Sequence, residues 1–198
     1  MALTELKQIS DVFHQKCIKL LKEYLFVGGM PEAVKLASEN ELGEIPRIHE
    51  QIVETYKNDF VKYTKKNHLV KIQKVFQHIY LNPCKKIKYS NISADDTSRD
   101  LKHNLELLFM AKIATPVYHT KCSGVPLEVS KDESVFKSLV LDVGLMNHIH
   151  KVSWQSLKNF SERELLTEGQ IAEQFVGQHL LAQIPAYQNP NLYYWLRE

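Results

Sequence analysis

Cysteine is scarce and scattered in this 198-residue chain. Cys17, Cys84 and Cys122 form no Cys-x-x-Cys pair. Their number and spacing argue against a zinc site and a disulfide framework, and read as free thiols in a reducing cytosol. Glycine is scarce as well, at seven residues. None falls in Gly-x-x-x-x-Gly-Lys-Ser/Thr order, so no phosphate-cradling loop is present. Apolar residues never run to the roughly 18 that a spanning helix needs. Polar Thr4, Glu5, Lys7 and Gln8 follow Met1, so no signal peptide and no membrane contact are expected, and the expected location is cytoplasmic. Excess charge is missing too. A net charge of +2 and a pI near 8.3 permit contact with nucleic acid without arguing for it. The nine histidines include no His-Glu-x-x-His, and His148 and His150, two apart, point to different sides of a helix. No Gly-x-Ser-x-Gly elbow occurs. Neither a metal centre nor a nucleophilic triad is expected, and no catalytic residue is nominated.

What is present is an ordinary globular composition, 44% apolar and 24% charged. A chain of this length buries about 70% of its unfolded surface. The stretch from Leu69 to Leu145 organises the rest. Leu69, Ile72, Val75, Phe76 and Ile79 lie on one helical face, and Asn82-Pro83 ends that helix. Ser90 is read as the cap of a short helix containing Ile92, and Ser98 as the cap of a longer one. The longer helix buries Leu101, Leu105 and Leu108 and turns Arg99, Lys102, His103 and Glu106 to water. Ile113–Tyr118 is strand-like, Lys121-Cys122-Ser123-Gly124 is a tip, and Phe136–Leu141 returns as an apolar strand. Helix, turn, two helices and hairpin make the winged-helix pattern. Asp142 then reads as the N-cap of a helix over 143–149, with a buried ion pair to Arg99 or Lys137 as the alternative.

Before that stretch, an amphipathic helix over Val12–Leu25 is expected to face Val12, Phe13, Cys17, Leu20, Leu21 and Tyr24 inward. Gly28 and Gly29 then permit a tight backbone, and Pro31 suits the first turn of the next helix. The amides at that helix start would favour an anion, though an elbow between helices explains the same residues. Glu44–Thr64 reads as a helix with Ile45, Ile48, Ile52, Tyr56 and Tyr63 inward. Its lysines Lys57, Lys62, Lys65 and Lys66 read as a solvated face. Later, Ser153–Ser161 reads as a polar loop. Leu165–Leu181 reads as one helix burying Ile171, Phe175, Val176, His179 and Leu180. Leu192–Trp195 reads as an exposed edge strand, open to self-association.

Five segments in order carry a resemblance. They are Tyr24-Leu25-Phe26-Val27-Gly28-Gly29-Met30-Pro31-Glu32-Ala33-Val34, the helix ending Tyr56-Lys57-Asn58-Asp59-Phe60, Ser98-Arg99-Asp100-Leu101, Phe136 to Asp142-Val143-Gly144-Leu145, and Gly169 to Val176 with Leu192–Trp195. Together they resemble the C-terminal region of prokaryotic AAA+-type P-loop ATPases that carry a C-terminal domain of unknown function. The resemblance implies a helical lid over 1–67, a winged helix over 68–150, and an incomplete restriction-endonuclease-like segment over 151–198. It implies a P-loop domain upstream of Met1, with ATP and Mg bound in that parent protein and no cofactor in this part. Gly28, Gly29 and Pro31 would sense the nucleotide. Glu173 would match one carboxylate of a nuclease site whose other ligands are absent, and one carboxylate cannot hold a hard cation that needs about six oxygens.

The expected fold is therefore mainly α with a small β hairpin: an N-terminal helical bundle, a central winged helix and a truncated α/β piece. The expected function is a non-catalytic lid and recognition module whose partners are its own P-loop domain and either DNA or a protein at the winged helix. The alternative is a DNA-binding module of a nuclease-like protein, reading a groove through Arg99, Lys102 and His103. Asp95, Asp96, Asp100 and Glu106 weigh against that, since phosphate contact supplies the affinity.

Overall fold

The computed structural model describes residues 9–63, 66–185 and 187–196. It is mainly helical with one small sheet. The helices are α1 (Asp11–Val27), α2 (Pro31–Ser38), α3 (Ile45–Tyr63), α4 (Lys66–Leu81), α5 (Tyr89–Ile92), α6 (Ser98–Met110), α7 (Val143–Ile149), α8 (Trp154–Asn159), α9 (Glu162–Thr167) and α10 (Gly169–Ala182). The strands are β1 (Ala114–Thr120), β2 (Lys131–Val140) and β3 (Tyr193–Tyr194), in sheet order β2-β1-β3.

The middle of the chain follows its periodicity closely. Ile72, Val75, Phe76 and Ile79 of α4 are buried against Leu101, Leu105 and Leu108 of α6 in one continuous core. β1 and β2 pair antiparallel from Ala114↔Val140 to Thr120↔Lys131, with a register shift after Tyr118. The segment between α4 and α5 lies along the outer side of β2. Cys84 N–H donates to Ser138 O and Ile87 N–H to Phe136 O. Cys84 is thereby buried, which pushes its thiol up to about 12. The caps differ from expectation. Thr97, one residue before Ser98, accepts from Asp100 N–H, and the short helix starts after Lys88 with no side-chain cap. Both changes move the cap to the last extended residue before the helix.

α1 departs further. Val12 is 84% exposed and Phe13 and Leu20 are each 55% exposed, while Cys17 is also on the surface. Leu21 and Tyr24 do face the core as expected, but they are joined by Ile18 and Leu25 rather than by Val12, Phe13, Cys17 and Leu20. In α3, Ile45 and Ile48 are buried as expected, joined by Val53 and Phe60. Lys57 pairs with Glu54 and Lys62 with Asp59 along that helix. Lys65 and the side chains of Tyr63 and Lys66 fall outside the described part.

The expected loop over 153–161 is helical. Ser153 accepts from Ser156 N–H to start α8, and Leu157 is buried beneath it. The expected single helix over 165–181 is two helices. Ser161 and Glu164 form a capping box at α9, and Glu168, with ψ 68, interrupts the chain before α10. α10 also buries a different face. Gln174 and Gly177 are inward, whereas Val176, His179 and Leu180 are exposed. The last strand is shorter than expected. It runs parallel to β1, with Tyr193 beside Tyr118 and Tyr194 beside His119.

The seven-residue α7 is the hub. Val143, Gly144, Leu145, Met146 and Asn147 are all buried, and the helix packs against α1, α3, α4 and α10.

Candidate functional site

The Gly28–Pro31 turn and the start of α7 meet at one carboxylate. Asp142 Oδ1 accepts from Leu145 N–H at 2.9 Å and Oδ2 from Gly29 N–H at 2.7 Å. Its N-cap role is the one its position implies, and Arg99 and Lys137 are not its partners. Gly28 has φ 71, a left-handed value that suits glycine. A Cβ there would overlap Asp142 Oδ1 and stand 2.7 Å from Oδ2. On the opposing side, a Cβ on Gly144 would lie 2.7 Å from both Gly28 N and Val27 O. Two glycines thus let two backbones touch, and the aspartate ties them.

Around this contact, polar side chains satisfy the orphan carbonyls at the end of α1, which has no basic residue in its last turn. Gly28 N–H donates to Tyr24 O, Asn147 Nδ2 to Leu25 O at 2.8 Å, and His49 Nε2 to Val27 O at 3.1 Å. His150 does the same for α4, its Nε2 donating to Tyr80 O at 2.8 Å. Burial lowers the His49 pKa, which the Val27 carbonyl and the Asp142 charge partly counter. Gln174, fully buried, clasps Val140 with both amide atoms, accepting at 3.0 Å and donating at 2.8 Å. Gln178 accepts from Val143 N–H at 3.0 Å and donates to the Tyr24 hydroxyl at 2.9 Å. Sequence reasoning nominated none of His49, Asn147, Gln174 and Gln178. Gln174 left one trace: an uncharged polar residue between Ile171 and Phe175 on a helix expected to pack.

The other nominated residues lie apart. Pro31 is exposed at the first turn of α2, and Gly29 is exposed beside it. The two glycine amides are already taken, Gly28 N–H by Tyr24 O and Gly29 N–H by Asp142 Oδ2. Arg99, Lys102 and His103 all project from the solvent face of α6. Asp100 and Asp96 turn away from them, bound to Lys71 and Lys74 of α4. Lys102 has Glu106 at 3.9 Å, and the His103 ring meets that of His68 edge to face. Glu173, on the exposed side of α10, pairs with Lys137 Nζ at 2.6 Å, and that ammonium also lies 4.9 Å from the centre of the Tyr194 ring. Among the described residues no group of three His, Cys, Asp or Glu side chains converges as metal ligands. Glu173 has no second carboxylate, histidine or thiol converging with it into a group of three among the described residues, too few donors for a hard cation that needs about six oxygens.

Fold and site together define a mainly helical chain whose buried polar groups serve to join backbones. The chain belongs to a family described as a domain of unknown function, DUF8612, whose model matches residues 18–156. The matched stretch holds the Gly28 turn, Asp142 and the whole of α6, and stops before α10 and Glu173. No curated protein and no solved structure matches the chain.

Proposed function

We propose that this chain is a non-catalytic regulatory and recognition module, in which a lid-like helical unit is fastened to a winged helix that docks a protein partner. The observation that carries the proposal is the carboxylate of Asp142, shared between Gly29 N–H and Leu145 N–H. It makes the turn that starts α2 and the helix that follows the hairpin one mechanical piece. Displacement of the turn therefore pulls on α7, and through it on α4 and β2. The inner side of the turn is closed by Asp142, while Gly29 and Pro31 remain on its outer side for a neighbouring domain. The resemblance supplies that neighbour as a P-loop ATPase domain, whose nucleotide state the turn reports.

The α6 face supports a protein partner over nucleic acid. Arg99, Lys102 and His103 are exposed, but Asp95 and Glu106 share their surface, and Lys71 and Lys74 are neutralised by Asp100 and Asp96. Affinity for a duplex rises with each phosphate neutralised, and this surface has little surplus cation. The alternative, a DNA-binding module of a nuclease-like protein, is favoured by one observation: the two carboxylates nearest the α6 start point toward α4 rather than into the groove-reading face.

A titration with duplex and single-stranded DNA at low salt separates the two. The expected result is no saturable binding at micromolar protein. Sub-micromolar binding that weakens steeply with salt overturns the protein-docking reading. Where the P-loop domain is present in the same polypeptide, Pro31→Ala is expected to change nucleotide affinity or turnover; unchanged kinetics would remove the lid reading.

A further inference from the structure

We propose that the cleft between the end of α1, the turn at residues 42–46 and the α7–α8 junction binds a small amphipathic anion, a ligand with a flat apolar body and one acidic group. The cleft encloses about 560 Å³, within the roughly 300–1,000 Å³ of small-molecule sites. Its walls are apolar. Phe26 and Trp154 stand with ring centres 5.6 Å apart at 44°, and Pro46 and Val152 face the same space. Phe26 is buried and Trp154 half-buried, and an aromatic wall of this kind takes a planar group by offset or edge contact.

The acidic group follows from the charges that line the space. Lys151 and His148 contribute cationic or ionisable groups, and no carboxylate lines the cleft. His148 is already paired with Glu50 at 2.8 Å. That leaves the Lys151 ammonium, which forms no ion pair with the described residues. Lys151 sits at φ 59, in the left-handed region that a lysine rarely enters. The turn it makes is fixed by Lys151 N–H to His148 O and Val152 N–H to Asn147 O. These two bonds close α7 and set the backbone of Lys151, an exposed residue, in the lining of the cleft. A cationic ligand would find no carboxylate here to balance it and a neutral one would keep only the apolar contacts, whereas an acid adds a charge-assisted hydrogen bond at the rim. His49 lines the back of the cleft and also holds Val27 O, next to Gly28. An occupant and the Gly28 turn therefore share one side chain.

The test compares 2-naphthoate with its neutral isostere 2-naphthamide, following Trp154 fluorescence in a Trp195→Phe background. Trp195 is exposed and outside the cleft. Naphthoate is expected to bind saturably and about threefold to fivefold more tightly than the amide, the scale of one exposed ion pair. Lys151→Asn removes the charge while keeping a residue that tolerates the left-handed turn. It is expected to bring naphthoate down to the affinity of the amide and to leave the amide unchanged. The proposal is overturned if neither compound binds saturably, if acid and amide bind equally to the unmutated lysine, or if Lys151→Asn leaves naphthoate affinity intact. The acid-against-amide comparison needs no change in the cleft, so it stands even if the variant folds poorly.

Discussion

The contact between Gly28 and Gly144 and the outer face of α6 use polar residues in opposite ways. At the first, Asp142, His49, Asn147 and Gln178 are turned inward, and each carries hydrogen bonds that a backbone group would otherwise lack. At the second, Arg99, Lys102 and His103 point to solvent and hold no part of the core. Both regions carry side chains that could be taken for chemistry. Only burial and partners separate them: a buried polar group is costly unless bonded, so its bonds state its purpose. The inward set is architecture. The outward set lies on the surface, with Lys102 near Glu106 and His103 against His68.

The most severe way to break this contrast is at Gly144. Its Cβ would press on Gly28 N and Val27 O, both backbone atoms with no rotamer to yield. Gly144→Ala is expected to cost about 3 kcal/mol, the upper end of the usual range for overpacking a close contact. Chemical denaturation would measure it. A loss below about 1 kcal/mol would mean that α1 and α7 separate easily, and the fastening of the two units would have to be abandoned.

The two regions also differ in how far they could be read from sequence. The α6 face was legible because Leu101, Leu105 and Leu108 recur at helical spacing, so the residues between them had to face water. The Asp142 cap was legible because an acidic residue stood between an apolar strand and a helix. Its second bond was not, since Gly29 lies more than a hundred residues away and no local pattern announces a partner. The same limit hid Gln174 and Gln178, whose targets are backbone groups of β2 and α7. For α1 the failure was different. Periodicity identified an amphipathic helix and placed Leu21 and Tyr24 correctly, but apolar residues occupy two faces, and only the neighbours in space select Ile18 and Leu25 over Val12 and Leu20.

A smaller effect should appear with pH. Burial lowers His49 below the ordinary histidine value, and lowers His78 for the same first reason. Below 6.5, the ordinary value, the unfolded chain takes up protons that the folded chain refuses. Stability is therefore full above that value and declines as pH falls beneath it. Asp96, Asp100 and Glu162 are lowered by their hydrogen bonds to lysine and histidine partners, and their contributions are lost only further down, below 3.8 to 4.5. The interval between belongs to the histidines. His49→Gln keeps a donor for Val27 O and removes the titration. It should flatten the decline in denaturation midpoint across that interval by His49's share, leaving what His78 supplies. An unchanged slope would show that the ring opens to water before it protonates.

The smallest effect should fall on the α6 face, and its smallness is the point. Arg99→Ala with Lys102→Ala removes two exposed cations and one loose pair with Glu106 at 3.9 Å. Surface changes of this kind stay within about 0.5 kcal/mol, and alanine slightly favours the helix. Unfolding should therefore be nearly unmoved, in contrast to Gly144→Ala. The same double variant sharpens the choice of partner. If α6 reads DNA, removing two phosphate contacts weakens binding and lowers the salt slope by about 2. If it docks a protein, no DNA affinity exists to lose. A marked fall in stability would contradict both, because it would place these cations among the groups that hold the fold together.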